Sequence, residues 1–356
     1  GNIASTPENR IAIVEEGVLR PVITYIRNED ADVIGRQYSA LALGNLASEP
    51  ENHEEVVKLD GIEALIVLLK AEDVQSGRYA AFALSNLASN PNHRYQIVEE
   101  GAIAPLVALA CADDTNAQRQ ALAALRGLAI SPDNRPQIVK EGVLDPLVLM
   151  ARSDDIEIQR EVAAALCSLS SIEENKSEIA DRSISTIISL SLSGDAEVEK
   201  QAVCTMANLM EMVELHDKLL DEQGLPPLVA LAISEDVNTK GEACRALANL
   251  AANRDMQPHI MKEGGLRPLI AAMLVDDMTC QRFGALGIGN LATNVSNQVK
   301  IVQEGAVAPL VELAGSPAKE AEARRYSVLA LANLAATIGN HPAILEEGAL
   351  QALFSL

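Results

Sequence analysis

The sequence predicts an all-α protein built as a solenoid of stacked repeats, because two independent sequence markers recur with one period. The first marker is the Asn of stretches such as "ALALGNLASEPEN" and "RALANLAANRD". It falls at positions 2, 45, 86, 127, 168, 208, 249, 290 and 333, in steps of 40 to 43 residues, with Gly127 and Ser168 replacing Asn. The second marker is the Pro of stretches such as "EGAIAPLVALA", found as Pro21, Pro105, Pro146, Pro227, Pro268 and Pro309, with Ala64, Thr186 and Ala352 in the remaining places. Two markers with one period over the whole chain indicate a repeat array.

Each repeat is predicted to contain three helices. The first ends in an apolar pair, acidic residues and Gly, as in "IVEEG" at Gly17, where Gly supplies a left-handed stop. The second begins near the Pro marker, which suits the first turn of a helix. The third follows an acid thirteen residues before the Asn marker, and we expect these acids to cap or neutralise its N-terminus. They are Asp32, Asp73, Asp114, Asp155, Asp195, Asp236, Asp277 and Glu320.

The period of the markers divides the chain into eight complete repeats. Repeats 1 to 8 span residues 8–50, 51–91, 92–132, 133–173, 174–213, 214–254, 255–295 and 296–338. Residues 1–7 are predicted to be the tail of an earlier third helix, and residues 339–356 a partial repeat. Because repeat arrays normally need polar caps at both ends, we expect this sequence to be a fragment of a longer protein.

The period near 41, the Gly stop, the Pro start and the "ALxNLA" third helix closely resemble the armadillo-repeat family over essentially the whole chain. This resemblance implies a right-handed superhelical solenoid. HEAT repeats have similar lengths and are the alternative, but the combination of Gly, Pro and Asn markers favours armadillo repeats. Within the family, the chain looks closest in type to catenin-like proteins and vacuolar adaptors. It differs from importin-α, which uses a Trp four residues before the Asn, because this chain has no Trp.

The marker residue and the residues four and seven before it form one stripe on the third helix, since each helical residue turns by about 100°. In armadillo proteins this stripe lines the concave groove, and the resemblance implies that the Asn binds an extended peptide there. A carboxamide suits this role because it can donate to and accept from one peptide residue. We expect it of Asn45, Asn86, Asn208, Asn249, Asn290 and Asn333. Alternatively, these amides connect neighbouring third helices.

The distribution of other side chains suggests two peptide-binding segments. Gly127 and Ser168 interrupt the Asn series at its centre, while five of the eight aromatic residues lie in the stripe on either side of this interruption. These five are Tyr38, Tyr79, Phe82, Phe283 and Tyr326. Aromatic side chains are typical binding anchors, although Phe82 and Phe283 are equally able to pack between repeats.

A basic row flanks the stripe eight residues before the marker. It comprises Arg78, Arg119, Arg160, Lys200, Arg282 and Arg325, and Arg126 and Arg245 extend it toward the stripe. Two interpretations remain open: these cations pair with acids of the adjacent repeat, or they bind acidic side chains of a ligand. The preference of the groove for acidic or basic ligands is therefore open at this point.

Charge and cysteine usage exclude several classes of function. The net charge of −22 disfavours nucleic acids and anionic membrane surfaces as partners, because long-range repulsion opposes them. No uncharged apolar run reaches about 18 residues, so we expect no direct membrane insertion within this fragment. The five cysteines include no C-x-x-C pair, which fits reduced thiols in an intracellular protein. We expect a cytoplasmic location, with any nuclear or organelle-surface location depending on regions outside this sequence.

Nothing in the sequence indicates catalysis, a metal or a cofactor. The histidines lie seven to ten residues after an Asn marker in different repeats, and are His53, His93, His216, His259 and His341. We expect successive repeats to hold them at least about 10 Å apart, too far for a shared metal or a catalytic triad. The glycines of "GALGIGN" lack the preceding strand of a phosphate-binding loop.

The sequence therefore predicts a non-enzymatic scaffold or adaptor that binds extended peptide segments of partner proteins in its groove. The alternative is a structural or regulatory arm of a larger motor, organelle-attachment or cytoskeletal protein, using edge and convex surfaces. Neither the partner nor the oligomeric state follows from the repeat pattern.

Overall fold

The computed structural model describes residues 3–28 and 30–354. Gly1 and Asn2 of the predicted N-terminal tail, and Ser355 and Leu356 of the predicted partial repeat, lie outside the described residues. The secondary structure of the described residues is entirely helical, which confirms the all-α prediction. Contacts between Cα atoms divide the chain between Asn175 and Lys176 into an N-terminal unit and a C-terminal unit.

The third helices form the continuous layer of each unit. In the N-terminal unit they are Val33–Leu46, Val74–Leu87, Thr115–Ala129 and Ile156–Ser170. In the C-terminal unit they are Ala196–Leu209, Val237–Ala252, Met278–Leu291 and Ala321–Leu334. Within each unit, consecutive third helices pack against one another. Their buried faces alternate small Ala and larger Leu side chains, such as Ala246 and Leu247, which lets neighbouring helices approach closely.

An aspartate caps seven of the eight third helices, as the sequence predicts. Each of these carboxylates accepts a hydrogen bond from a backbone N–H in the first turn, as Asp236 does from Thr239 at 2.7 Å. The others are Asp32, Asp73, Asp114, Asp155, Asp195 and Asp277. The eighth residue, Glu320, makes no side-chain cap, and its carboxylate lies 3.3 Å from Arg282 instead.

The first and second helices lie outside this layer. The first helices are Arg10–Glu15, His53–Lys58, Pro91–Glu99, Arg135–Lys140, His216–Asp221, Gln257–Lys262, Val295–Gln303 and His341–Glu346. The second helices are Leu19–Arg27, Gly61–Leu69, Ile103–Ala110, Leu144–Met150, Leu225–Leu231, Leu266–Met273, Val307–Gly315 and Ala349–Phe354. Short 3-10 helices occupy Ile3–Ser5, Pro7–Asn9, Pro50–Asn52, Pro132–Asn134, Val213–Leu215 and Ile338–Asn340.

The predicted start and stop signals of these helices are confirmed in most repeats. Each Pro marker is the third residue of its second helix, where no intrahelical N–H bond is lost. A left-handed Gly separates the first and second helices at Gly17, Gly101, Gly142, Gly264, Gly305 and Gly348. In repeats 2 and 6 the left-handed residue is instead the one before the Gly, Asp60 with φ 58° and Gln223 with φ 57°.

The prediction of three helices is wrong for repeat 5. Its first two helices are fused into one helix of 18 residues, Glu173–Leu190. The reason is local: Arg182 stands at the place of the left-handed Gly, and Thr186 stands at the place of the Pro marker. Neither residue favours a left-handed turn or lacks a backbone N–H, so the helical hydrogen bonds continue.

Candidate functional site

The marker residues and the residues four and seven before them are accessible to solvent in most repeats. In repeat 2, Tyr79, Phe82 and Asn86 are half-buried, whereas Ala83 and Leu84 between them are buried. In repeat 7, Phe283, Leu286 and Asn290 show the same pattern. We call this surface the marker stripe. In these two repeats the stripe is partly open to solvent.

The marker Asn side chains connect neighbouring third helices, which was the alternative interpretation of their recurrence. In four of the six, Nδ2 donates a hydrogen bond to a backbone carbonyl of the preceding repeat. The carbonyl belongs to the residue directly before the marker of that repeat. The bonds are Asn86 to Gly44 at 2.9 Å, Asn249 to Ala207 at 3.3 Å, Asn290 to Ala248 at 2.9 Å and Asn333 to Gly289 at 3.1 Å. Among the described residues, their Oδ1 atoms accept no hydrogen bond. Each amide thus keeps an acceptor for a further partner, and Asn86 also donates to the Ser48 hydroxyl at 3.4 Å.

Asn45 and Asn208 differ from the other four. The half-buried Asn45 side chain makes no hydrogen bond with any described residue. Asn208 is only 8% exposed, and its Oδ1 accepts a 2.7 Å hydrogen bond from Nη2 of Arg245. The expectation of an open amide is therefore wrong for Asn208, because an arginine of the next repeat covers it.

The two arginines nearest the stripe are neutralised by acids of this chain. Arg245 lies 2.9 Å from Glu211 and 2.7 Å from Glu242. Burial acts to lower the pKa of Arg245, but these two carboxylates raise it overall. Arg126 forms a close ion pair with Glu161 of the next repeat. The sequence had led us to expect that Arg126 and Arg245 extend the basic row toward the stripe. They do not extend it as free cations, because each already has an acidic partner.

Four members of the basic row also pair with acids, and for Arg119 and Arg282 these acids belong to the adjacent repeat, as one interpretation held. Arg119 lies 3.9 Å from Asp155 of the next repeat, and Arg282 lies 3.3 Å from Glu320 and 3.0 Å from Glu322. Arg160 and Lys200 pair within their own helices, with Glu157 at 2.6 Å and with Glu197. In the part of the chain that the structure describes, Arg78 and Arg325 have no acidic partner.

Arginines of this row stack on aromatic side chains of the stripe. The guanidinium of Arg78 lies 4.9 Å from the ring centroid of Tyr79, and that of Arg325 lies 5.3 Å from Tyr326. Arg282 lies 4.7 Å from the Phe283 ring. These distances are within the range of cation–π attraction. The stack orients each guanidinium beside the stripe.

The aromatic residues of the stripe combine packing with exposure. Tyr38 is 59% exposed. The Phe82 ring covers Gly44 of the preceding repeat so closely that a Cβ there would lie 2.5 Å from its Cδ1 atom. Phe82 therefore packs between repeats, as one interpretation held, and still presents part of its ring to solvent.

Two side chains cap the C-terminus of the third helices, and the sequence pattern had not led us to predict them. The side chain seven residues after the marker donates a hydrogen bond to the carbonyl of the residue directly after the marker, as Asn52 does to Leu46 at 2.8 Å. The side chain eight residues after the marker forms a hydrogen bond with the carbonyl of the residue two after the marker, as His53 does with Ala47 at 2.8 Å. Equivalent bonds come from Asn134, Asn175, Asn297 and Asn340, and from Arg94, Arg135, His216, Gln257, Gln298 and His341. The signal was a side-chain donor at a fixed offset from the marker.

The expected separation of the histidines is wrong for one pair. The rings of His53 and His93, which belong to adjacent repeats, lie 6.0 Å apart. His93 is buried, and its Nε2 is 3.9 Å from Glu54. Among the described residues, no three His, Cys, Asp or Glu side chains are grouped to hold a metal ion.

Among the described residues, no single helix is long and apolar enough to cross a membrane, and one bent pair, Ala321–Leu334 with Ile338–Glu346, is so by length and composition alone.

Fold and stripe together define a helical repeat solenoid, and comparison with known proteins gives its family. The sequence profile described as "Armadillo/beta-catenin-like repeat" matches residues 90–130, 131–171 and 217–252. A crystal structure of an engineered protein is similar over 100% of this chain and 88% of its own, with 31% identity and a TM-score of 0.90. Two further engineered proteins cover 66% and 65% of this chain, and the chain covers 99% and 96% of them, with identities of 27% and 31% and TM-scores of 0.61. Comparison with curated proteins finds no match.

The chain belongs to the armadillo-repeat family. Armadillo repeats generally mediate protein–protein interactions, and the fold is typically a non-enzymatic binding scaffold.

Proposed function

We propose that this protein is a scaffold or adaptor that binds extended peptide segments of partner proteins along the marker stripe. The observation that carries the proposal is the state of Asn86, Asn249, Asn290 and Asn333. Each amide is half-buried, is oriented by hydrogen bonding to the preceding repeat, and retains an unpaired Oδ1 among the described residues. Oriented but unsatisfied amides lose little entropy when they bind the main chain of a ligand.

The repeat spacing is compatible with an extended ligand. Packed helices lie about 8–10 Å apart, and an extended chain rises about 3.4 Å per residue. Each Asn therefore meets about every third residue of the ligand, or every second residue where curvature brings the stripes closer. Main-chain recognition of this kind depends little on ligand sequence, so specificity must come from the side chains around the amides.

Peptide binding is proposed to concentrate in two parts of the chain, each described by itself. In the N-terminal unit, repeats 1 and 2 carry Tyr38, Tyr79 and Phe82 in the stripe. In the C-terminal unit, repeats 7 and 8 carry Phe283 and Tyr326. The ion pairs of Arg126 and Arg245 occupy the stripe in repeats 3 and 6. There a ligand has to displace an existing charge pair, which makes binding less favourable.

The test is the double variant Asn249→Ala/Asn290→Ala, assayed with a partner first identified by capture at increasing salt concentrations. Binding is expected to weaken by about 2–3 kcal/mol, because each lost hydrogen bond is worth about 1 kcal/mol or more. The matched control is Asn297→Ala, which removes the 3.0 Å cap of the Leu291 carbonyl but lies off the stripe. Equal affinity of the double variant and the wild type refutes the proposal.

One observation favours the second candidate, a structural or regulatory arm of a larger protein. The four Nδ2 bonds and the ion pairs of Arg119 and Arg282 serve contacts between repeats, so the same residues also maintain the stack. Under this function the double variant melts at a lower temperature, while the captured partner binds it as well as it binds the wild type. Parallel measurement of melting temperature and affinity therefore separates the two functions.

A further inference from the structure

A cavity opens on the marker stripe of the N-terminal unit, across the third helices of repeats 1 to 3. Its volume is about 370 Å³, and it is lined by Leu41, Asn45, Arg78, Tyr79, Phe82, Asn116 and Gln120. Ligand pockets generally measure about 300–1,000 Å³. This cavity is at the lower end of that range, which suits a single large side chain rather than a whole small-molecule cofactor.

The apolar part of the cavity consists of Leu41 and the rings of Tyr79 and Phe82. All three side chains are half-buried. The Phe82 ring is held against the backbone of Gly44, where a Cβ atom would lie 2.5 Å away. This part of the wall is therefore fixed before any ligand binds. An apolar side chain that enters the cavity removes its own surface and that of these three residues from water.

The polar part of the cavity offers a cation and amides. Arg78 stacks on Tyr79 at 4.9 Å and has no acidic partner among the described residues, whereas the equivalent Arg119 of the next repeat pairs with Asp155 at 3.9 Å. The Asn45 amide is also without a hydrogen bond to the described residues. Among the residues that the structure describes, no carboxylate lines the cavity. A lysine or arginine of a ligand would thus meet repulsion from Arg78 and no compensating acid.

We infer, resting on the peptide-binding function proposed above, that this cavity selects extended peptides with a large apolar side chain and an acidic side chain within two residues of it. The apolar side chain fills the space between Leu41, Tyr79 and Phe82. The acidic side chain accepts charge-assisted hydrogen bonds from Arg78, whose planar guanidinium matches a carboxylate. Local charge thus selects an acidic ligand although the whole chain carries a net charge of −22.

The experiment measures fluorescence polarisation of labelled twelve-residue Gly/Ser/Thr peptides with the whole 356-residue chain. Each peptide carries one Leu and one Glu at an offset of one or two residues, and its variants replace Leu with Ser or Lys, or Glu with Gln or Lys. We expect Leu→Ser to weaken binding about tenfold, from lost apolar burial, and Glu→Gln to weaken it about fivefold.

Protein variants then assign these preferences to the cavity. Arg78→Gln is expected to abolish the difference between Glu and Gln peptides while keeping that between Leu and Ser peptides. Arg78→Glu is expected to make the Lys-for-Glu peptide the stronger ligand. The matched control is Arg325→Gln, because Arg325 stacks on Tyr326 in the same way but lies outside the cavity. Melting temperatures of all variants report whether they fold.

The outcomes distinguish this inference from the function on which it rests. The inference is overturned if the wild type binds all peptides equally, or if folded Arg78→Gln keeps the preference for Glu. If the peptides still bind in those cases and Asn249→Ala/Asn290→Ala weakens them, the peptide-binding function stands without the selective pocket. If no peptide binds the wild type, both are overturned.

Discussion

Nδ2 of Asn290 donates a 2.9 Å hydrogen bond to the carbonyl oxygen of Ala248, which directly precedes the equivalent Asn249 in the neighbouring third helix. The marker residue of one repeat is thus bonded to the backbone beside the marker of the repeat before it. This relationship explains how an Asn is retained in the interior of an apolar helix. Its donor is satisfied by the neighbouring repeat, and its acceptor takes no hydrogen bond from the described residues of this half-buried position.

The first prediction concerns this bond. Asn290→Ala is expected to reduce the free energy of unfolding by about 1 kcal/mol, because one half-buried hydrogen bond between repeats is lost. Urea denaturation measures the change. Asn45→Ala is the control, since the Asn45 side chain makes no hydrogen bond with the described residues. An equal loss of stability in both variants would show that the bond to Ala248 contributes nothing.

The second prediction concerns the cap at Asp236. Asp236→Ala is expected to cost about 1 kcal/mol at neutral pH, because the carboxylate accepts hydrogen bonds from both the N–H and the hydroxyl of Thr239, at 2.7 and 2.8 Å. Glu235→Ala is the control, since it removes the same charge one residue away and leaves the cap in place. Denaturant titration of both variants measures the difference.

The stability from this cap should also depend on pH. Hydrogen bonds from Thr239 hold the pKa of Asp236 below its ordinary value. A carboxyl with a lowered folded-state pKa stabilises above its unfolded pKa, near 4, and this contribution is lost as pH falls through the folded pKa. The gap between wild type and Asp236→Ala should therefore close in strongly acidic solution. A gap that is constant down to pH 2 would contradict this explanation.

The third prediction concerns the buried His93. Burial lowers the pKa of His93; the carboxylate of Glu54 opposes this shift and His53 adds to it. Because the unfolded chain then binds the proton more readily, stability is lost as pH falls below the unfolded value of about 6.5. His93→Asn introduces the residue that caps the helix at this offset in other repeats, such as Asn52 and Asn134.

Melting temperatures at pH 7.5 and pH 5.5 test this prediction. The decrease between the two pH values should be smaller in His93→Asn than in the wild type. His216→Gln is the control at a different cap, where the imidazole already bonds the Met210 carbonyl at 2.9 Å. If His93→Asn and wild type lose the same number of degrees, His93 is not the source of the acid sensitivity.

The fourth prediction concerns the fused helix of repeat 5. Thr186→Pro is expected to cost about 3 kcal/mol, because Pro within Glu173–Leu190 removes a helical hydrogen bond and clashes with the preceding turn. The double variant Arg182→Gly/Thr186→Pro restores both signals of the other repeats and should recover part of the loss. Circular dichroism during urea unfolding measures each variant. A double variant less stable than Thr186→Pro alone would show that other contacts impose the fusion.

The stop and start signals show how far local chemistry can be read from the sequence. Gly142 and Pro146 mark a helix end and a helix start because one residue tolerates a left-handed φ and the other lacks an N–H. The same reasoning explains the fusion at Arg182 and Thr186, although the sequence pattern with Thr186 in the place of Pro did not lead us to predict it. Period, helix order and aspartate caps depend on interactions within a few residues, which the sequence displays directly.

Whether a candidate binding residue is available to a ligand depends on its contacts with the adjacent repeat. Asn208 and Asn290 have the same place in the period, but Arg245 covers Asn208. Among the described residues, no arginine forms an equivalent bond with Asn290. Arg78 and Arg119 share another place, but Asp155 pairs only with the second. These contacts join side chains 37 and 36 residues apart, and their presence depends on the packing of adjacent repeats.

The sequence by itself thus determined the repeat architecture, the positions of the helices outside repeat 5 and the stripe of amide, aromatic and basic residues, because each follows from a period or a local conformational preference. Only the tertiary structure decided which amides are tied to a neighbouring helix, which cations are already neutralised, and where a cavity opens. Those properties arise from distances between repeats, and a pattern along one chain does not contain such distances.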